Sequence, residues 1–356
     1  MTPVEPAPTE HAPVHLAAHA PEAAQAPDHV PPPHTPYRRV VASGLAIAAA
    51  VCLVVLAFSW PSVTSEPKDV PVAVTGPAQA VDALDQAVQQ QMPGVIDLLR
   101  VDDRAAAVDA IETRDAYGAV VLGKTPEVLT ASAAGSAVEQ VVTGLATQLQ
   151  EQQPATTVTD VVPLSPDDPH GTGLTAALFP LVLGGMLGGI GISILVVGAG
   201  RRILAVGVYA VVGGLALTAI LQAWFGSIQG DWWANAAAIA LALAAIASPI
   251  TGAVALLGTA GIGVGAVLMM LVANPLSGAT VPPEFLPWHW GAIGQWFPPG
   301  AGATLLRDES YFPSAPAGLA WLALGLWTAA GVLGSLVGHF RTAGGTEPDA
   351  EAALDN

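Results

Sequence analysis

Charge is what this sequence has least of. Only 11% of its residues are Asp, Glu, Lys or Arg, where a soluble domain carries about a quarter. Basic side chains number 11 against 28 acidic ones, a net charge of −17. That balance excludes nucleic acid as a partner, because phosphate binding needs clustered Lys and Arg. A single cysteine, Cys52, excludes an intramolecular disulfide; it sits in an apolar run and reads as a small buried hydrophobe. No G-x-x-x-x-G-K-[ST] loop occurs, so the chain cannot hold ATP in that mode. The soluble parts contain neither a metal-ligand cluster nor a nucleophile–base arrangement. The sequence therefore predicts no catalytic residue, no cofactor and no metal.

Apolar runs fill the space that charge leaves. Just over half the residues are apolar and the mean hydropathy is +0.55. A membrane helix needs about 20 consecutive apolar residues. Runs of that kind fit Val40–Trp60, Leu174–Val197, Ile203–Phe225, Ala234–Ala255, Leu257–Ala273 and Pro316–Gly338. The expected fold is an α-helical polytopic membrane protein with six transmembrane helices and an inserted extracytoplasmic α/β domain. Residues 1–37 form a Pro/Ala/His-rich leader without hydrophobic period, read as disordered and cytoplasmic. His11, His15 and His19 recur every four residues there, but the surrounding prolines oppose the helix that would align them. Residues 38–60 are the first span. A cleaved signal peptide, with Ala57 and Ser59 at a small-x-small site, is the alternative; the long Pro-rich leader favours an uncleaved anchor.

Residues 61–171 have the composition of a soluble domain, with sixteen acidic and five basic side chains. Val70–Val74 reads as a buried strand, followed by a helix from Ala78 to Gln91 with Val81, Leu84 and Val88 on one face. Val95–Val101 is a second strand, and Asp102 or Asp103 caps a helix running to Thr113. Ala119–Leu122 and Val128–Ala131 are short strands around Lys124-Thr125-Pro126. A third helix covers Ser136 to Gln150, and Thr156–Pro163 is the last strand. This alternation predicts an α/β sheet with right-handed crossovers.

Residues 172–341 hold the other five spans, with an outer loop over 274–315, and 342–356 are an acidic cytoplasmic tail read as disordered. Arg38, Arg39, Arg201, Arg202 and Arg341 all fall on one side if both termini are cytoplasmic, as the positive-inside rule requires. Trp60, Trp224, Trp232, Trp233 and Trp321 then lie near span ends, as interfacial aromatics do. No ionisable Asp, Glu, Lys or Arg lies inside a span, which disfavours an ion-coupled carrier, since such carriers keep titratable relays there. Gln222 and Asn274 read as interfacial or packing groups. The glycine clusters at 184–191 and 261–265 lie within apolar runs, not in a strand–turn–helix unit, and read as close helix-packing positions.

The most distinctive stretch begins Asn274-Pro275-Leu276-Ser277-Gly278, continues through Pro282-Pro283-Glu284-Phe285-Leu286-Pro287, and reaches Pro298-Pro299-Gly300-Ala301 and Arg307. Its prolines and glycines cannot sustain a membrane helix, while Trp288, Trp290, Trp296 and Phe297 keep it amphipathic. It is expected to fold back onto the outer helix ends as a structural and gating element. The candidate residues are Asn274, Pro275, Ser277, Gly278, Pro283, Glu284, Pro287, Pro299, Gly300 and Arg307. Glu284 and Arg307 are opposite charges that could tie the two arms of the loop together.

This pattern, with Tyr311-Phe312 after it, resembles the outer loop before the last helix of type-2 ABC exporter permeases. It is most similar to the branch of phage-infection-protein-like membrane proteins. Val70–Gly76, Tyr117–Val121 and Ala131–Gly135 also resemble the external domain of that branch. The resemblance implies a membrane-spanning, homo- or heterodimeric subunit of the bacterial inner membrane. Such a subunit exports lipidic or amphipathic material when a separate ATPase subunit drives it. The sequence departs from the family at the cytoplasmic face: Ala199-Gly200-Arg201-Arg202 is very short and the turn near 252–258 is uncharged, leaving little room for a helix that docks an ATPase. The alternative is a non-transporting envelope protein whose outer domain binds a peptide, a cell-wall component or a phage.

Overall fold

The computed structural model describes residues 35–278 and 281–343; the expectations for the His-containing leader and the acidic tail fall mainly outside them. The chain divides into compact units at residues 1–50 and 51–356. The first unit, where described, is the opening half of helix α1 (Tyr37–Thr64).

In the second unit, strand and helix alternate where the sequence places them: β1 (Val70–Thr75), α2 (Ala78–Gln91), β2 (Ile96–Arg100), α3 (Arg104–Glu112), β3 (Ala119–Val121), β4 (Glu127–Thr130), α4 (Ser136–Gln152) and β5 (Thr157–Asp160). The sheet order is β2-β1-β3-β4-β5. β1 is parallel to β2 and β3, and β4 is parallel to β5, but β3 and β4 pair antiparallel. The five residues between β3 and β4 make a hairpin, and a helix crossover would need a dozen residues or more. The interior strand β1 is apolar at nearly every position because both faces are covered; Val70, Val72, Ala73 and Val74 are buried. Val81, Leu84 and Val88 of α2 and Val138, Val142, Leu145 and Leu149 of α4 join the same core. Each such side chain contributes about 1.5–3 kcal/mol over leaving it in water.

Among the described residues five helices are long and apolar enough to cross a membrane: residues Tyr37–Pro61 of α1, α5 (Thr172–Leu195), Ala199–Trp224, α7 (Trp232–Leu257) and residues Gly318–Arg341 of α11 (Gly318–Ala343). The third of these is α6 (Ala199–Thr218) continued by a π-helical turn over Ala219–Trp224. This multi-pass arrangement is that of a membrane protein. The stretch expected as a further span, Leu257–Ala273, is shorter. Gly258, at φ 65°, ends α7, and the apolar helix resumes only at α8 (Ala260–Val267), which a π-helical turn over Leu268–Ala273 continues. At 1.5 Å per residue, 14 residues reach about 21 Å, short of a ~30 Å hydrocarbon core.

α7 is the hub: Ala238, Ile239, Ala242, Leu243, Ala245, Ile246 and Ile250 are buried around its circumference. Small residues on the neighbours allow this closeness. A Cβ added at Gly189 of α5 would lie 2.8 Å from the carbonyl oxygen of Ala247, so this part of the 184–191 cluster is a packing face.

Candidate functional site

Residues 274–278 and 281–317 do not run as an open loop. They fold into a 3-10 turn (Pro283–Phe285), α9 (Trp290–Gly294) and α10 (Pro298–Tyr311), forming a cap at one end of the helices. α10 was hidden by its own start. Pro298 and Pro299 occupy its first turn, where the missing N–H costs nothing, and the helix then buries Ala301, Leu305 and Leu306.

The sequence-chosen residues gather in this cap. Asn274, Pro275, Ser277 and Gly278 line a cavity of about 190 Å³ together with Phe58, Pro61 and Leu178. Pro283 and Glu284 form the 3-10 turn, and the carbonyl of Pro287 accepts from the Trp290 N–H at 3.2 Å. Pro299 and Gly300 open α10. Gln295 Nε2 donates to the Ser277 carbonyl at 3.3 Å and Thr304 Oγ1 donates to Gln295 Oε1 at 2.7 Å, joining the cap's first and last parts.

The charges pair differently from the sequence expectation. No Glu284–Arg307 ion pair forms among the described residues. Glu284 Oε2 instead accepts from the Tyr117 hydroxyl at 2.8 Å, while Arg114 forms a close ion pair with Asp308. Both donors come from the connection between α3 and β3, so these charges tie the cap to the sheet segment. The pair is nearly dry, with side-chain exposures of 14% for Arg114 and 7% for Asp308. The Arg114 guanidinium also lies 5.5 Å from the ring centre of Phe312, within cation–π range.

Burial dominates the electrostatics here. Desolvation pushes the Asp308 carboxyl above its ordinary value, with Arg114 opposing. The Tyr117 hydroxyl is pushed well up by burial and by the Glu284 charge, so it stays a donor. Burial, then the neighbouring Arg114 charge, lower the Arg307 guanidinium to about 10.

A polar seam continues beneath the cap. Ser310 Oγ donates to Asn235 Oδ1 at 3.0 Å, and Asn235 Nδ2 donates to the Gln229 carbonyl at 2.6 Å and to Gln222 Oε1 at 3.1 Å. The Tyr311 hydroxyl donates to the Ser227 carbonyl at 2.8 Å. Gln222 is thus a packing group, as its position suggested. Asp168 accepts from Thr172 N at 3.0 Å and Gly173 N at 2.7 Å, capping α5.

Beside the cap lies an apolar crevice of about 640 Å³, walled by Leu53, Leu56 and Trp60 of α1, Leu271 and Val272, and Trp288, Trp290 and Ile293. Trp288 holds a positive φ of 54°, an outlier for a bulky residue. Among the described residues no three His, Cys, Asp or Glu side chains converge as metal ligands would.

Sequence reasoning missed Arg114, Tyr117, Asp308 and Asn235. Arg114 carried a local signal. It follows Thr113, the residue that caps the end of α3, at φ 62°, the left-handed position that usually takes glycine. An arginine tolerated there is one whose side chain is wanted. No protein-family model, no curated protein and no solved structure matches this chain.

Proposed function

We propose that this chain is a permease-like subunit of an export system in the bacterial cytoplasmic membrane, acting on lipidic, amphipathic or envelope-associated material. Any ATP hydrolysis belongs to a separate subunit. In this reading the chain spans the membrane six times, with the short apolar stretch Ala260–Ala273 as the fifth crossing, leading out to the cap. Both termini are cytoplasmic, and the sheet segment and the cap are outside.

The apolar crevice carries the reading. Its walls combine aliphatic side chains with Trp60, Trp288 and Trp290, and indole rings favour the level of lipid headgroups. Its volume, about 640 Å³, is in the range of small-molecule pockets and suits an acyl chain or another elongated apolar group. The charge-free spans agree with a device that moves apolar material and does not relay protons.

The test is a photo-crosslinker placed at Ile293 in native membranes. Capture of a lipid or amphipathic product, lost when Ala57→Trp fills the crevice, supports the reading; equal capture by both proteins counts against it. Purification from mild detergent with mass spectrometry asks separately for a stable ATPase partner. Single cysteines at Ser136 and Gly345 in a Cys52→Ala background test orientation. The first should react with an impermeant maleimide in whole cells and the second should not.

A second reading, a non-transporting envelope protein with a ligand-binding outer segment, draws support from one observation. Only Val196–Gly198 separate α5 from α6, which leaves no helix for an ATPase to grip. Absence of an ATPase from the purified protein would favour it.

A further inference from the structure

Arg307 is the one cap guanidinium, and no carboxylate among the described residues pairs with it. Asp308 is committed to Arg114 and Glu284 accepts from Tyr117. Among the described residues Arg307 has neither an ion pair nor a hydrogen bond, and its Nε is buried without a partner. Leaving this buried Nε without an acceptor is costly, and burial together with Arg114 weakens the guanidinium's hold on its proton. Its free side faces a pocket of about 30 Å³ lined also by Ser132, Ser136, Glu139, His170 and Thr175.

The other wall of the pocket is the start of α4. Gly135 precedes this 17-residue helix at φ 123° and no side chain caps it. Glu139 N is the first to find its acceptor, the Gly135 carbonyl. The N–H groups of Ser136, Ala137 and Val138 therefore have no intrahelical acceptor, and the helix dipole adds positive potential at the same place. We propose that this pocket binds the phosphate group of an anionic ligand between the Arg307 guanidinium and the amino-terminal N–H groups of α4. Phosphate suits both walls: guanidinium pairs with its oxygens bidentately, and free helix-start N–H groups are ready phosphate donors. The volume holds about two water-sized spheres, room for the terminal oxygens, with the rest of the ligand leaving past the exposed His170 and Ser136. Glu139, in the first turn of α4, is the one lining carboxylate and opposes a second negative charge. Arg307 lies on α10, Thr175 on α5 and Ser136 on α4, so a bound phosphate joins three elements.

The ligand phosphate can be free or carried by a lipid headgroup, and two arms separate these sources. In the first, inorganic phosphate is titrated at constant ionic strength into lipid-stripped full-length protein, with the melting temperature as readout. In the second, mixed micelles offer phosphatidylglycerol or phosphatidylcholine, and native mass spectrometry counts retained lipid. A saturable response in the first arm identifies a free phosphate. Selective retention of phosphatidylglycerol alone identifies the headgroup. In either case Arg307→Gln should weaken binding by about tenfold or more, and Glu139→Gln should tighten it severalfold by removing the like charge. Should Arg307→Gln fail to fold, Glu139→Gln decides: affinity equal to wild type overturns the proposal. No saturable response in either arm, or one that neither variant alters, overturns it too.

Discussion

Arg114, turned out of the left-handed end of α3, forms an ion pair with Asp308 of α10, 194 residues further along the chain. The two side chains are buried together beside Phe312, so neither can replace the other with water. Asp308→Asn leaves a buried cation and should cost about 3–5 kcal/mol, measured as thermal stability of the protein in detergent. Arg114→Met with Asp308→Leu should recover much of that loss, because an apolar pair of similar size removes both desolvation costs. Equal stability of wild type and Asp308→Asn would show that the pair does not hold the sheet segment to the cap.

Tyr117 and Glu284 form the second tie. Tyr117→Phe removes the donor, and water can replace it at the exposed Glu284 carboxylate, so the loss should be about 0.5–1.5 kcal/mol. Glu284→Gln keeps an acceptor for the hydroxyl and should cost less. Because Glu284 and Arg307 do not pair, Glu284→Gln and Arg307→Gln should combine additively to within about 0.5 kcal/mol. A larger coupling energy in that double-mutant cycle would contradict the observed partners.

Local pattern made the sheet segment legible. Val81, Leu84 and Val88 are spaced for one helical face and all three are buried; Asp103, chosen with Asp102 as a cap, accepts from Ala106 N at 2.8 Å. The antiparallel β3–β4 pairing was within reach too, since the five-residue connection leaves no space for a crossover helix. The cap was legible as a place but not as a mechanism. Proline and glycine marked residues 274–300 as non-spanning, yet the same prolines begin α10. Partner choice was out of reach because the two obvious charges of the loop are 23 positions apart, Glu284 to Arg307, whereas Glu284 meets Tyr117 from the connection between α3 and β3 and Arg307 faces the start of α4. Only tertiary packing decides which carboxylate meets which cation.

Close approach within the cap gives a sharper test than its charges. A Cβ added at Gly294 would sit 1.7 Å from the Leu276 carbonyl oxygen, and backbone cannot yield as a flexible side chain can. Gly294→Ala should cost about 1–3 kcal/mol or more through backbone displacement, although alanine favours helices. Gly325→Ala in α11, where nothing lies within 4 Å, should be neutral or slightly stabilising. Similar melting temperatures for the two variants would refute the tight packing of α9 on residues 274–278.

Acid should loosen the sheet through a different pair. Glu127, at the start of β4, accepts from Arg104 Nε at 2.7 Å and Nη2 at 2.9 Å, and from Thr159 Oγ1 on β5 at 2.8 Å. These bonds, Arg104 first, hold its carboxyl below the ordinary glutamate value of 4.5. The folded state therefore binds the proton less readily than the unfolded chain. The pair's contribution is fully present above pH 4.5 and is lost as pH falls below that value through the lowered folded value. Glu127→Gln has no such charge to lose. The stability difference between wild type and Glu127→Gln should be constant at neutral pH and shrink as the pH drops through this window. High salt should reduce it at neutral pH, because Arg104 is half exposed. A difference that stays level down to pH 3, or that grows, would mean that the Arg104–Glu127 contact does not favour the ionised carboxylate in the folded protein.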